Sequence, residues 1–152
     1  YIDADHVVFK GASPGENRAR LASAVVTGSL ITGDDYSTKG SWRQVAQHLL
    51  QNKGLLGIVN TDGKPFRPCS IEAGQDPSNF FEKRVGNKIF LAVFNYGNNA
   101  GSFSISYAKL GITKLRSIEK IMGPDLVEAR EEGGKIDVKL PVKDAIILQL
   151  NL

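Results

Sequence analysis

The sequence predicts a mainly β protein in which a short βα-type segment precedes an antiparallel β-sandwich. Up to about residue 60, apolar residues recur at helical spacing, as in Trp42, Ala46 and Leu49. From about residue 78, short alternating runs stand between turn residues, as in Lys88–Tyr96 and Ser102–Tyr107. The hydrophobic period therefore changes once along the chain, from that of helices to that of strands.

The segment up to residue 60 has the alternation of strands and helices that is typical of βα units. The predicted elements are a strand at 6–9, a helix at 16–29, a strand at 30–32 and a helix from 41 to about 52. Ser13-Pro14 is a favourable start for the first helix. Ser41-x-x-Gln44 is a capping-box pattern for the second, which we expect to end at Gly54.

A proline-containing connector at 66–77 is predicted to separate the first segment, 1–65, from an all-β segment at 78–152. The seven strands predicted there lie at 80–85, 88–96, 101–107, 115–121, 126–130, 135–140 and 145–150. Turn residues such as Gly86-Asn87 and Gly133-Gly134 stand between them. Seven such strands form a β-sandwich or a Greek-key barrel.

Composition excludes several classes of function. The 152 residues are 41% hydrophobic and 23% charged, which is ordinary for a globular protein. The net charge is +3, and no basic run reaches the density of a nucleic-acid-binding stripe. The longest apolar-leaning stretch, 21–31, is too short and too polar to span a membrane. We therefore expect neither a nucleic acid nor a membrane as a partner.

The segment Asp3-Ala4-Asp5-His6 is the first candidate for chemistry. Alternation along a strand would put Asp3 and Asp5 on one face and His6 on the other. Two carboxylates on one face suit acid–base catalysis, because each charge raises the pKa of its neighbour. A metal site is less favoured, because no second histidine lies at ligand spacing. A solvated acidic strand end also explains the pattern.

Asp34 and Asp35 form the second candidate. They follow the predicted strand at 30–32, and loops after the strands form the functional face of an α/β barrel. An acidic pair at that place could bind sugar hydroxyls or position another catalytic group. Acids are also common in loops and favourable near helix N-termini, so a purely structural role stays open.

The aromatic residues fit packing positions better than a binding surface. Trp42 lies at the core spacing of its helix, and Phe94, Tyr96, Phe103 and Tyr107 fit alternating core positions of the strands. No clustered aromatic strip marks a carbohydrate-binding face.

Cys69 is the single cysteine, so no internal disulfide can form. No histidine lies close to it in sequence, and we therefore expect a small buried residue rather than a nucleophile. The number of cysteines does not identify the compartment, because many exported proteins lack disulfides.

In this order, the candidate segments resemble the C-terminal part of melibiase-type α-galactosidases, in glycoside hydrolase clan D. Residues 1–8 resemble the family's Trp-Asn-Asp-Pro-Asp segment, with Tyr-Ile in place of Trp-Asn and Ala in place of Pro. Residues 30–35 resemble the end of the eighth barrel strand, and residues 57–62 resemble an Ala-Ile-Asn-Gln-Asp segment. Residues 89–95 resemble a sandwich strand that ends in Phe-Asn.

The resemblance implies that 1–65 is the end of a (β/α)8 barrel, with two helices, and that 78–152 is a Greek-key-like β-sandwich. It implies a retaining glycosidase in which Asp5 is the general acid/base and Asp3, Asp34 and Asp35 serve substrate binding. The nucleophile would lie on an earlier barrel strand, outside this chain. The implied partners are a carbohydrate and the rest of the barrel, and no metal or cofactor is expected.

The chain begins on Tyr1 rather than methionine, which we interpret as the cut end of a longer enzyme. We therefore expect this piece to be inactive alone. The sugar stays open between an α-galactoside, an N-acetylgalactosaminide and another glycoside, and the resemblance favours a periplasmic or extracellular location. The alternative is a non-catalytic β-sandwich module that binds carbohydrate or protein. In a third interpretation the sandwich braces the barrel.

Overall fold

The computed structural model describes residues 7–29, 31–62, 64–69 and 78–152. Within these ranges there are three helices, α1 (Pro14–Thr27), α2 (Trp42–Leu50) and α3 (Lys53–Val59). The strands are β1 (Arg67–Pro68), β2 (Phe80–Val85), β3 (Lys88–Asn95), β4 (Gly101–Ser106), β5 (Ser117–Met122), β6 (Ala129–Glu132), β7 (Lys135–Leu140) and β8 (Asp144–Asn151). None of the described helices is long and apolar enough to cross a bilayer.

The strands form two antiparallel sheets, which confirms the predicted mainly β sandwich. One sheet has five strands in the order β1-β2-β3-β8-β5, and the other has three in the order β4-β7-β6. Each of the seven predicted strands is present, with ends shifted by at most a few residues. The short strand β1 lies inside the predicted connector and pairs with β2.

The two central strands of the larger sheet are buried on both faces. Along β3, Ile89, Leu91 and Val93 face the smaller sheet, whereas the alternate residues Phe90 and Phe94 face the helices. An unbroken apolar run is the sequence pattern of a strand covered on both sides, and 89–94 is such a run. The chain therefore has three layers, which are the helices, the five-stranded sheet and the three-stranded sheet.

Helix α1 begins with the capping box that Ser13 and Glu16 form. The Ser13 hydroxyl accepts from the Glu16 N–H at 3.2 Å, and the Glu16 carboxylate accepts from the Ser13 N–H at 2.9 Å. The helix starts at Pro14 and ends at Thr27, two residues before each predicted end, and Gly28 closes it with φ 73°.

The predicted end of the second helix is wrong. Ser41 makes no side-chain capping bond, and α2 ends at Leu50. Asn52 then begins a new helix, α3, because its side-chain oxygen accepts from the Leu55 N–H at 3.1 Å. Gly54 consequently lies inside α3, where a Cβ would stand 2.8 Å from Cγ2 of Ile121 on β5. The glycine thus permits close packing of α3 on the sheet rather than ending a helix.

Among the described residues, the strands predicted at 6–9 and 30–32 are reduced to a single parallel contact on either side of α1. Val7 donates its N–H to the carbonyl of Ile31 at 2.7 Å, and Gly33 donates to the carbonyl of Val7 at 3.0 Å. These bonds make a single parallel bridge between Val7 and Thr32. The segment at Val7 is therefore followed by α1 and then by a second segment, at Thr32, that runs parallel to the first.

A buried ion pair joins the helices to the sandwich. Asp144, at the start of β8, is fully buried, and both of its carboxylate oxygens accept from the Arg18 guanidinium of α1, at 2.8 and 2.6 Å. One of these oxygens also accepts from the Ala145 N–H at 2.7 Å. Bidentate geometry and a third donor compensate the desolvation of the carboxylate.

Lys83 makes a second polar connection between the two layers. Its side chain is buried, and its ammonium donates to the carbonyls of Ile58 and Thr61 at 3.2 and 3.0 Å. These carbonyls stand at the C-terminal end of α3, where the helix dipole favours a positive charge. Asn52 adds a third connection, because its amide donates to the Ile121 carbonyl of β5 at 2.9 Å.

We predict that Asp144→Asn lowers the free energy of unfolding by about 3–5 kcal/mol, because it leaves the Arg18 charge without its buried partner. Urea denaturation followed by circular dichroism measures the change. Lys143→Met is the matched control, since it removes a neighbouring charge whose ion pair with Glu16 is half-exposed and 3.7 Å long. The control should change the free energy of unfolding by less than about 1 kcal/mol. Equal effects of the two substitutions would contradict a structural role for the buried pair.

Candidate functional site

The acidic segment singled out from the sequence lies outside the described residues. Asp3 and Asp5, together with His6, belong to 1–6, and their proposed roles stay predictions. The described part of the candidate site begins at Val7 and includes the loop that follows Gly33. It is formed where the two parallel strand segments end, which is the position predicted for Asp34 and Asp35.

The Asp34 carboxylate bridges the ends of both strand segments. One oxygen accepts from the Phe9 N–H at 2.6 Å, and the other accepts from the Lys10 N–H at 3.1 Å. Asp34 itself is half-buried, whereas Phe9 is fully buried. The side chain therefore satisfies two backbone donors that lie 24 and 25 residues earlier in the chain.

Asp35 has different surroundings from its neighbour. One of its oxygens accepts from both the hydroxyl and the N–H of Ser37, at 2.6 and 3.0 Å, in a local turn. These two hydrogen bonds, hydroxyl first, lower the pKa of the Asp35 carboxyl, with a smaller contribution from Lys10. Asp35 is exposed and ionised at neutral pH, which suits it for contact with a polar ligand.

An aromatic pair, which the sequence did not identify as a unit, stands beside these acids. The rings of Tyr36 and Trp42 lie 5.5 Å apart with an interplanar angle of 52°, and both pack against the helical core. Burial, and then the negative charge of Asp34, raise the pKa of the Tyr36 phenol. Trp42 thus packs as predicted. The sequence feature that could have identified Tyr36 is its position directly after two acidic residues.

The described residues hold no cluster of three or more histidines, cysteines or acids that could bind a metal ion. The segment 57–62, which resembles a family motif, has a structural role as far as it is described. Thr61 gives its carbonyl to Lys83, and its hydroxyl donates to Ile58 at 2.7 Å. Asn60 ends α3.

The outer face of the smaller sheet is polar. Serine side chains alternate with inward apolar residues along β4, and charged side chains do so along β7. In register, the outer positions pair Ser102 with Lys139, Ser104 with Asp137 and Ser106 with Lys135. Among the residues described for β4 and β7, these outer positions carry no aromatic ring on which a sugar could stack.

Tyr96 does not occupy the core position predicted for it. It is 54% exposed, and β3 ends one residue before it, at Asn95. Its ring instead stacks on Phe94, with centroids 5.6 Å apart and nearly parallel planes. Phe94 is buried, and Phe103 and Tyr107 pack at the border of the core between the sheets.

Cys69 lies beside a buried carboxylate at the edge of the sandwich. Glu82 is 4% exposed and accepts from Arg67 at 2.7 Å and from Arg84 at 3.0 Å. Burial, followed by the charge of Glu82, raises the pKa of the Cys69 thiol to about 12. Cys69 is half-buried, whereas the sequence predicts a buried residue, and its protonated thiol is a poor nucleophile.

The fold is shared with solved structures of glycoside hydrolases. The α-galactosidase of Saccharomyces cerevisiae, solved with raffinose, matches with a TM-score of 0.70 and 13% sequence identity, over 97% of this chain and 46% of that protein. A β-L-arabinopyranosidase of glycoside hydrolase family 27 from Geobacillus stearothermophilus matches with a TM-score of 0.64 and 18% identity, over 99% and 37%. The α-galactosidase I of Mortierella vinacea matches with a TM-score of 0.62 and 13% identity, over 94% and 38%.

The chain spans less than half the length of each of these three proteins, whereas nearly all of this chain is matched. No family model matches the sequence, and no curated protein matches it significantly. The resemblance to melibiase-type α-galactosidases is therefore confirmed at the level of the fold, which includes both the helical segment and the sandwich.

We predict that native Cys69 reacts with iodoacetamide at pH 8 on the order of a thousandfold more slowly than in the unfolded chain, because its pKa of about 12 keeps the thiolate scarce. The native rate should keep rising with pH after the rate of the unfolded chain has levelled off near pH 9. Mass spectrometry of the alkylated protein measures both rates. Native and unfolded rates within tenfold of each other would contradict the assignment.

Proposed function

We propose that this chain is the C-terminal part of an α-galactosidase-like glycoside hydrolase whose intact form releases terminal sugars from glycosides. One observation carries the proposal: the three named enzymes match 94–99% of this chain over only 37–46% of their own lengths. Neighbours of this fold include an enzyme solved with raffinose and one solved with arabinose. A carbohydrate is accordingly the proposed ligand of the intact enzyme, and the remaining barrel strands are the proposed partner of this piece.

In this proposal residues 1–65 are the end of the barrel, 66–77 are the connector and 78–152 are the sandwich. The sandwich serves as a brace for the barrel. The buried Arg18–Asp144 pair supports this role, as does the shared core, in which the helix residues Leu21 and Leu55 lie with Phe90 and Ile147 of the sheet. A covalently tethered binding module needs the core between its sheets, which this sandwich has, but it does not need a second core shared with the helices.

The rival proposal is a non-catalytic β-sandwich module that binds carbohydrate. The polar outer positions of β4 and β7 disfavour it, because sugar-binding sheet faces need apolar rings for stacking. The fold match also extends over the helical segment, which such a module would not need.

The proposed mechanism is a retaining double displacement. A carboxylate nucleophile attacks the anomeric carbon and displaces the leaving oxygen, which an acid protonates, to give a covalent glycosyl-enzyme. The conjugate base then deprotonates a water molecule that attacks the same carbon and releases the carboxylate. The resemblance assigns the acid/base role to Asp5 and supporting contacts to Asp3, Asp34 and Asp35. The nucleophile belongs to a strand outside this chain, so this piece would contain half of the catalytic pair.

We predict that the intact enzyme hydrolyses at least one 4-nitrophenyl glycoside from a panel that contains the α-galactoside, the α-N-acetylgalactosaminide and the β-L-arabinopyranoside. The 152-residue chain alone should hydrolyse none of them, because it lacks the nucleophile and most of the barrel. Release of 4-nitrophenol measures both activities. Turnover by the isolated chain, or inactivity of the intact enzyme toward all glycosides, would contradict the proposal.

In the intact enzyme, Asp5→Asn should lower kcat/KM by about 10²–10⁴-fold for substrates with poor leaving groups, because the proton donor is lost. The leaving group of a dinitrophenyl glycoside needs little protonation, so kcat/KM for these substrates should fall much less. Steady-state kinetics over a series of leaving groups measures the difference. A loss of equal size for every leaving group would mean that Asp5 contributes to binding rather than to proton transfer.

A further inference from the structure

We propose that Asp34 is a positioning residue, which fixes the register of the strand segment at Val7 against the segment at Thr32. The inference rests on the proposed function for its catalytic consequence, and on the geometry of the described residues for the register itself. Of the two functional roles that the sequence leaves open for Asp34, binding sugar hydroxyls or positioning another catalytic group, it favours the second.

The backbone alone holds the two strand segments together weakly. Val7 and Thr32 form one isolated parallel bridge, with hydrogen bonds of 2.7 and 3.0 Å. Burial of Val7 and Phe9 selects the face of the segment that points inward, which excludes a slip by one residue. A single bridge does not exclude a slip by two residues, which keeps the same face inward, so a further contact must select the register.

Asp34 supplies that contact immediately after the bridge. Its two oxygens accept from the N–H groups of Phe9 and Lys10, so the side chain continues the ladder where backbone pairing stops. Hydrogen bonds to an ionised acceptor are stronger than those of a backbone ladder. Four hydrogen bonds thereby join residues 7–10 to residues 31–34.

The same geometry disfavours Asp34 as a ligand for substrate. Phe9 is fully buried, and its backbone N–H would be left without an acceptor if the carboxylate turned toward a sugar. Asp35 is the freer of the two acids, since its hydrogen bonds lie within its own exposed turn. Between these neighbouring acids, Asp35 is therefore better suited to meet a hydroxyl-rich ligand.

The register matters because of what precedes Val7 in the sequence. Asp5 lies two residues before it, and Asp3 four residues before it. A slip of two residues keeps every side chain on its own face but moves it by about 7 Å along the strand. A proton donor needs placement within hydrogen-bond distance of the leaving oxygen. In the proposed enzyme, a residue that prevents the slip at Val7 would therefore be needed for the full catalytic rate.

Amide hydrogen exchange of the 152-residue chain tests the register directly. In Asp34→Asn, the side-chain NH2 cannot accept a hydrogen bond, so the amide of Phe9 or Lys10 should exchange at least about tenfold faster than in the unsubstituted chain. Asp35→Asn is the matched control, and it should leave both amides unchanged. Unchanged exchange of Leu21 in α1 verifies that the fold is intact. Equal exchange in Asp34→Asn and the unsubstituted chain, or no protection of these amides in either, overturns the proposal.

Kinetics of the intact enzyme test the catalytic consequence. A positioning role predicts that Asp34→Asn lowers kcat by at least about tenfold while KM stays within about twofold, because substrate contacts are kept. Glu128→Gln, on the exposed surface of the sandwich, should change neither constant. A rise of KM at constant kcat would make Asp34 a substrate ligand and overturn the proposal. An inactive intact enzyme would refute the proposed function, and the exchange experiment would still decide the register.

Discussion

The carboxylate of Asp144 lies out of contact with water, at the point where the helices meet the larger sheet. Its negative charge is held by the guanidinium of Arg18 and by a backbone N–H, so neither charge can be buried without the other. The pair determines where α1 lies along β8. Gly15 makes this approach possible, because a Cβ there would stand 3.1 Å from the carboxylate and from the Lys143 carbonyl. The placement of the first βα unit therefore depends on a residue of the sandwich.

The connector predicted at 66–77 does not separate two independent cores, because one core contains residues from both sides of it. The connector divides a βα segment from a β segment, yet β3 and β8 give one face to the smaller sheet and the other to the helices. Lys83 and Asn52 add polar connections across the same interface, which orient α3 on the sheet. The larger sheet of the sandwich thus packs against the helices of the segment that carries the candidate site. Every residue proposed for chemistry belongs to that first segment.

The sequence predicts the structural role of a residue when its contacts are close in sequence, and it does not do so when they are distant. The strands of the sandwich follow from alternation and from turn glycines, and the start of α1 follows from Ser13 and Glu16. Helix α3 was missed because seven residues carry little periodicity, and its cap, Asn52, is held by Ile121 across the fold. Asp34 was singled out from its position after a strand, but its backbone partners become visible only in three dimensions. Asp3 and Asp5 stay predictions, because they lie outside the described residues.

The central position of β8 has a consequence for how the chain folds during synthesis. Arg18 is translated 126 residues before Asp144, its ion-pair partner, so α1 leaves the ribosome long before the strand on which it packs. Until that strand arrives, β3 lacks one of its two neighbours, and only β3 and its partner β2 are available to cover the apolar faces of the helices. Pairings of such large sequence separation form slowly. One strand, synthesised last among the eight described, therefore completes both cores at once.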